Sequence, residues 1–187
     1  VRGRISRREF LGRAAALGLV PLGSFLFQDK AVADVIGCQI SNVHLLDTIR
    51  ALALGSGWNV AAPTYRLAPE HPYPAGLDDC LAVADWLAAG GRPWAVSGTS
   101  AGANLAIATA LARRNAPGLS AMVLFYGVFG ADLDTESYTA FGDGRYGLSR
   151  ERMANFFEMY DPQAARTRDP LITPLLGDLM TGSRDFR

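Results

Sequence analysis

The sequence has little of three things on which whole functional classes depend: net charge, cysteine and histidine. Its 187 residues carry 18 basic and 18 acidic side chains, so the formal net charge is zero. Domains that bind nucleic acid or an anionic surface ordinarily show a basic excess, and we therefore expect neither partner. The two cysteines, Cys38 and Cys80, are too few and too far apart for a zinc site. We expect buried thiols rather than a disulfide, and no metal.

A long uninterrupted hydrophobic run is also missing. The apolar stretch at 14–27 contains two glycines and a proline and is too short for a comfortable membrane span, so we expect no stable span. The preceding segment is rich in arginine, and residues 6–11, SRREFL, resemble the twin-arginine export motif. Residues 31–33, AVA, fit a cleavage site between small residues. Residues 1–33 are therefore predicted to direct export to the periplasm or the exterior. A cytoplasmic protein with a buried N-terminal helix is the alternative.

The remaining residues, 34–187, are enough for one domain with a sizeable core, since 49% of the whole chain is apolar. Apolar stretches typical of strands alternate with stretches of helical periodicity. Strands are predicted at 58–62, 93–97 and 121–126, with helices that end near Gly55, Gly90 and Arg114. This alternation predicts an α/β protein, with a mostly parallel sheet and helices on both faces in three layers. The wholly apolar strand at 121–126 is expected in the interior of that sheet.

The most informative motif is Gly98-Thr99-Ser100-Ala101-Gly102. A serine between two glycines, after a short apolar strand and before a helix, is the pattern of a nucleophile elbow. The turn is so sharp that a Cβ two residues before or after the serine would clash, and glycine relieves that clash. We therefore predict that Ser100 is a catalytic nucleophile. An ordinary glycine-rich turn between a strand and a helix is the alternative.

Two motifs together resemble a known family. Residues 65–79, YRLAPEHPYPAGLDD, and residues 98–106, GTSAGANLA, are similar to the bacterial hormone-sensitive-lipase-like branch (fold-3) of the α/β-hydrolases. The similarity extends from about residue 35 to residue 179. It implies a partial α/β-hydrolase domain over 34–187, with a cap-like insertion near 130–160. It also implies carboxylesterase or lipase activity on small-molecule esters, with no metal or organic cofactor.

The resemblance assigns roles to individual residues by position. Ser100 would form the acyl-enzyme, and the backbone N–H of Ala101 would stabilise the oxyanion. Gly98, Thr99 and Gly102 would complete the elbow, with Thr99 standing where the family usually has aspartate. The loop at 65–79 would be architectural, with its arginine and acidic residues tying it to the sheet.

The triad acid and base of the family have no counterpart at the matching positions, so both partners of Ser100 are unknown. Its His-Gly-Gly-Gly oxyanion loop is missing as well, and a chain truncated at both ends would explain these gaps. Of the two histidines, His71 belongs to the loop at 65–79 and His44 to the first helix. Asp169 imitates the setting of the acid, but its surroundings match an earlier segment of the family.

Two hypotheses follow. The chain is an ester hydrolase in which His44 or a partner chain supplies the base, or it is a catalytically dead remnant that binds an acyl ligand or has no function. No motif predicts the acyl or alcohol preference or the oligomeric state.

Overall fold

The computed structural model describes residues 34–38, 45–163 and 168–177. The predicted export signal at 1–33 lies outside this part of the chain, as do the side chains of Cys38 and His44. The strands of the described residues form one four-stranded, wholly parallel sheet in the order β2-β1-β3-β4. They are β1 (Asp34–Cys38), β2 (Asn59–Ala61), β3 (Trp94–Thr99) and β4 (Leu119–Phe125).

Helices cover both faces of this sheet. The helices of the described residues are α1 (Leu45–Ser56), α2 (Ala75–Ala89), α3 (Ala101–Ala112), α4 (Glu136–Phe141) and α5 (Arg150–Tyr160), with a short 3₁₀ helix at Pro174–Leu176. On one face, Ile49 and Ala53 of α1 pack against Val60 and Ala95 of the sheet. On the other face, α2 and α3 pack against the same strands. The predicted α/β class with a parallel sheet between helices is confirmed. Within the described residues, no helix has the length and apolar character needed to cross a bilayer.

The main core lies between the sheet and the helices α2 and α3. Trp94 at the start of β3 is fully buried, and its indole Nε1 donates a hydrogen bond to the carbonyl oxygen of Pro117 at 2.9 Å. Burial of so large an apolar side chain is strongly favourable, and the hydrogen bond satisfies its one polar group. Other members of this core are Ala61, Leu77, Cys80, Val83, Ala84, Leu87, Val96, Leu105, Ala106, Ala108 and Ala110.

The strand β1 had no clear sequence signal, yet it occupies a central place in the sheet. It pairs with β2 on one side and β3 on the other, and its last residue, Cys38, lies opposite Gly98. The carboxyl end of β1 therefore lies beside the turn that carries Ser100.

In the described sheet, β4 is an edge strand, whereas its apolar sequence had predicted an interior strand. Met122, Val123 and Phe125 are 42%, 49% and 51% exposed. Apolar residues on both faces of a parallel strand are typical of burial on both sides. Within the described sheet, β4 pairs with β3 on one side only, and its apolar side chains are less buried than those of β3.

Candidate active site

Ser100 occupies a strained turn between β3 and α3. Its φ of 52° and ψ of −122° place it where few residues other than glycine are found. The neighbouring strand holds this conformation, because the backbone N–H of Ser100 donates a hydrogen bond to the carbonyl oxygen of Phe125 at 3.0 Å. The structure thus places the predicted nucleophile on a strand-to-helix turn with the backbone strain that a nucleophile elbow requires.

The glycine two residues before Ser100 has a clear steric reason. A Cβ built on Gly98 would lie 2.2 Å from the carbonyl oxygen of Gly102 and 2.7 Å from the backbone nitrogen of Ala103. Both distances are far inside van der Waals contact, and backbone atoms cannot rotate away as a flexible side chain can. The turn can therefore close only if residue 98 has no side chain.

The amino end of α3 begins directly after Ser100. The carbonyl oxygen of Ser100 accepts hydrogen bonds from the backbone N–H groups of Ala103 at 3.0 Å and Asn104 at 3.3 Å. The partial positive charge of the helix terminus consequently lies next to Ser100, and Ala101 in the first turn lines the same cavity. Negative charge that develops on an oxygen beside Ser100 would be stabilised at this end of the helix.

A cavity of about 320 Å³ has Ser100 in its wall. Its lining is mainly apolar, and an apolar cavity with a few convergent polar groups is typical of a small-molecule site. The apolar side chains come from Leu67, Ala68, Ala101, Leu105, Val128, Leu148, Met153, Phe156, Phe157, Met159 and Ile172, and the polar ones from Tyr65, Arg66, Ser100, Asn104 and Tyr160.

No carboxylate and no imidazole belongs to this lining in the part of the chain that the structure describes. Asp169 binds elsewhere: its Oδ2 accepts a hydrogen bond from the hydroxyl of Tyr73 at 2.8 Å, and its Oδ1 accepts one from the backbone N–H of Leu171 at 2.8 Å. His71 is exposed on the loop at 65–79. The described His, Cys, Asp and Glu side chains also form no group of three suited to a metal ion. The described residues thus bring neither a base nor an acid to Ser100.

The loop at 65–79 is held by Arg66. Its Nη2 lies 3.0 Å from Oδ1 of Asp79, and its backbone N–H donates to Oδ2 of the same carboxylate at 2.8 Å. Nη2 also donates to the carbonyl oxygen of Ala75 at 3.2 Å, and the hydrogen bond with Asp79 raises the pKa of Arg66. Ala75 and Asp79 lie in the first turns of α2, so the arginine ties the preceding part of the loop to this helix, whereas the resemblance had implied a tie to the sheet.

Asn104 has a structural role that the sequence pattern did not reveal. It is 7% exposed, and its Nδ2 donates to the carbonyl oxygens of Val128 at 2.6 Å and Ile172 at 2.8 Å. One amide group therefore joins α3 to two cavity-lining segments that follow later in the chain. The available signal was a single polar amide in a helix otherwise rich in alanine and leucine.

The helix α5 lies within the predicted insertion at 130–160 and forms one wall of the cavity. The Oγ of Ser149 caps it by accepting a hydrogen bond from the backbone N–H of Arg152 at 3.1 Å. Met153, Phe157 and Tyr160 are spaced three or four residues apart and share one helix face. Burial raises the pKa of Tyr160 and so disfavours its phenolate form.

Comparison with known proteins identifies the family of the chain. The family model described as alpha/beta hydrolase fold matches residues 38–185. The chain is 39% identical over 122 residues to Carboxylesterase NlhH of Mycobacterium tuberculosis, covering 60% of this chain and 38% of that protein. It is 30% identical over 150 residues to an acetyl esterase of Salmonella paratyphi B, covering 74% of this chain and 45% of that protein.

Solved structures of esterases are similar to this chain in fold. An esterase of Pyrobaculum calidifontis superposes with a TM-score of 0.74 at 27% identity, covering 82% of this chain and 55% of that one. EstE1, a thermophilic carboxylesterase from a metagenomic library, gives a TM-score of 0.73 at 29% identity, over 81% of this chain and 57% of that one. The chain thus spans less than two thirds of the length of these relatives. Since the family model matches most of its residues, the chain belongs to the α/β-hydrolases, in the hormone-sensitive-lipase-like branch that its two motifs had indicated.

Proposed function

We propose that the chain is a carboxylic ester hydrolase that forms an acyl-enzyme on Ser100. The observation that carries this proposal is the strained turn of Ser100 in the wall of an apolar cavity. In the first step the Oγ of Ser100 bonds to the ester carbonyl carbon and gives its proton to a base, while the carbonyl electron pair moves onto the oxygen. The N–H of Ala101 stabilises this oxyanion. The alcohol then leaves with a proton, and water releases the acid and restores Ser100.

The base is the part of this mechanism that the described residues do not supply. His44 lies outside them, and His44 or a partner chain is the proposed source. The requirement is strict, because a serine hydroxyl is a weak nucleophile at neutral pH. Loss of a triad member costs several orders of magnitude in rate in the serine proteases.

One observation favours a second function, the binding of an acyl ligand without catalysis. Among the described residues, the cavity is lined mainly by apolar side chains, and the lining includes neither an imidazole nor a carboxylate. Such a site would still bind an apolar acyl group through the area that it buries.

A fluorophosphonate probe separates these functions. The whole chain is treated with the probe, and the modified peptide is located by mass spectrometry. Ester hydrolysis predicts labelling of Ser100 that is lost in Ser100→Ala and kept in Ser137→Ala, which removes an exposed hydroxyl on α4 outside the cavity. A folded chain that stays unlabelled would contradict the hydrolase function and favour the binding function.

Two further proposals concern the organisation of the chain. Residues 1–33 act as a twin-arginine export signal, supported by the motif at 6–11 and the small residues at 31–33. Residues 130–160 act as a cap, supported by the cavity wall that α5 contributes. Small esters are the proposed substrates, in keeping with the names of the esterases to which the chain is similar.

A further inference from the structure

Tyr73 joins parts of the chain that form different walls of the cavity. Its backbone N–H donates a hydrogen bond to the carbonyl oxygen of Tyr160 at 2.8 Å. The two tyrosine rings meet edge to face, with centroids 5.7 Å apart. These contacts fix the last turn of α5, which supplies the first wall. The hydroxyl of Tyr73 points elsewhere and donates to Oδ2 of Asp169 at 2.8 Å.

Asp169 connects Tyr73 to the second wall of the cavity, which is the segment that carries Ile172. Its carbonyl oxygen accepts a hydrogen bond from the backbone N–H of Ile172 at 2.9 Å, and its Oδ1 accepts one from the N–H of Leu171 at 2.8 Å. Ile172 lines the cavity, and its carbonyl oxygen accepts a hydrogen bond from Asn104 at 2.8 Å. Tyr73 and Asp169 therefore connect α5 to the segment that carries Ile172, although neither residue lines the cavity itself.

We propose that Tyr73 and Asp169 are a positioning pair, which holds the α5 wall and the Ile172 wall at a fixed separation and so sets how the cavity discriminates acyl chains by length. The inference rests on the proposed function, because the acyl chain is part of the ester that Ser100 would attack. It adds residues that act through the walls of the cavity and touch no reacting atom.

The physical reason is preorganisation. A hydroxyl that donates to a carboxylate makes a stronger hydrogen bond than a neutral pair, so the tether resists movement of the two walls. In a cavity of fixed shape, each added methylene buries more apolar area, which corresponds to about a fourfold gain in affinity. Walls that are free to move must first be ordered by the ligand, and the gain per methylene falls.

The test measures that gain directly. The chain carrying Ser100→Ala, which cannot turn over an ester through Ser100, is titrated calorimetrically with p-nitrophenyl butanoate, hexanoate and octanoate. The parent is expected to gain about fourfold in affinity per methylene. Adding Tyr73→Phe, which removes only the hydroxyl, should reduce the gain to less than about twofold.

A second variant removes the carboxylate of the pair instead of the hydroxyl. Asp169→Ala should flatten the dependence on chain length at least as much as Tyr73→Phe does, because it also removes the acceptor of the Leu171 N–H. Adding Tyr73→Phe to Asp169→Ala should change nothing further. An additive loss in the double variant would overturn the proposal. If Tyr73→Phe does not fold, Asp169→Ala alone decides between a flattened dependence, which supports the pair, and an unchanged one, which refutes it.

Two control variants separate positioning from a general loss of stability. Tyr146→Phe removes a hydroxyl from a side chain that is 70% exposed, and Asp85→Asn removes a surface ion pair between α2 and Arg113. Both should keep the parent's gain per methylene, even where the melting temperature falls. An unchanged gain in Tyr73→Phe, or a parent that shows no gain, would overturn the proposal. Absence of fluorophosphonate labelling would refute the hydrolase function. If the parent still gained affinity per methylene and Tyr73→Phe lost that gain, the positioning pair would stand, since Ser100→Ala binds without a nucleophile.

Discussion

The backbone N–H of Ser100 reaches the carbonyl oxygen of Phe125 at 3.0 Å, so the turn between β3 and α3 is fastened to the strand beside it. A non-glycine residue with a positive φ costs about 1–3 kcal/mol. The surrounding structure maintains it through this hydrogen bond and through the close approach of Gly98 to Gly102. The geometry of the turn thus depends on residues on both sides of the serine and on a neighbouring strand.

Gly98→Ala should destabilise the fold, because the new Cβ would overlap the backbone of Gly102 and Ala103. We expect a loss of about 2–3 kcal/mol in the free energy of unfolding, measured by urea denaturation. Gly55→Ala is the matched control. It lies in α1, where an added Cβ would meet no atom within 4 Å, and alanine is the better helix former. Equal stabilities for the two variants would contradict the steric account.

Asn104→Ala should leave the carbonyl oxygens of Val128 and Ile172 without their buried donor. The expected cost is about 2–3 kcal/mol in the free energy of unfolding, from the desolvation of unpaired polar groups. Thr109→Val serves as control on the same helix, since its buried hydroxyl has no hydrogen-bond partner among the described residues. That variant should be neutral or slightly stabilising. Should Asn104→Ala unfold no more readily than Thr109→Val, the bridging role of Asn104 would be wrong.

The ion pair of Asp85 and Arg113 predicts a pH dependence. The hydrogen bond from Arg113 lowers the pKa of Asp85, so its stabilisation is complete above the unfolded-state pKa near 4 and is lost as the pH falls through the folded-state pKa. The aspartate is 56% exposed, and the gain over Asp85→Asn should stay below about 1 kcal/mol at pH 7. Urea unfolding at a series of pH values should show that gap closing below about pH 4. Arg113→Gln should behave like Asp85→Asn, and a gap that persists in acid would refute the assignment.

The export proposal predicts that a reporter fused to residues 1–33 is translocated and that a double change of Arg7 and Arg8 to lysine abolishes translocation. The twin-arginine motif depends on the arginine pair, and lysine keeps the positive charge but removes the guanidinium. The substitution therefore tests the requirement for arginine itself. Changing Arg2 and Arg4 to lysine is the matched control and should leave transport intact. Unchanged transport in the Arg7 and Arg8 variant would remove the export proposal.

Local features of the fold were predictable from the sequence, and distant contacts were not. The turn at Ser100 was readable because steric crowding within five consecutive residues dictates its glycines. The strand β1 was missed because it is only five residues long and lacks a clear alternation. Its place in the sheet comes from pairing with β2 and β3.

The same limit applies to the site. Tyr73 and Asp169 are 96 positions apart, and Asn104 and Ile172 are 68 apart. No periodicity or motif connects residues at such separations. The residues that line the cavity could therefore be identified only from the fold. The sequence had already left the base and the acid partner of Ser100 unknown.

The strand that receives the Ser100 hydrogen bond is also the outermost strand of the described sheet, with Phe125 half exposed. Edge strands fray before central ones, because fewer contacts must break. Deuterium should therefore replace the amide proton of Ser100 sooner than the amide protons in the middle of β3. The turn that carries Ser100 would then open before the centre of the sheet does.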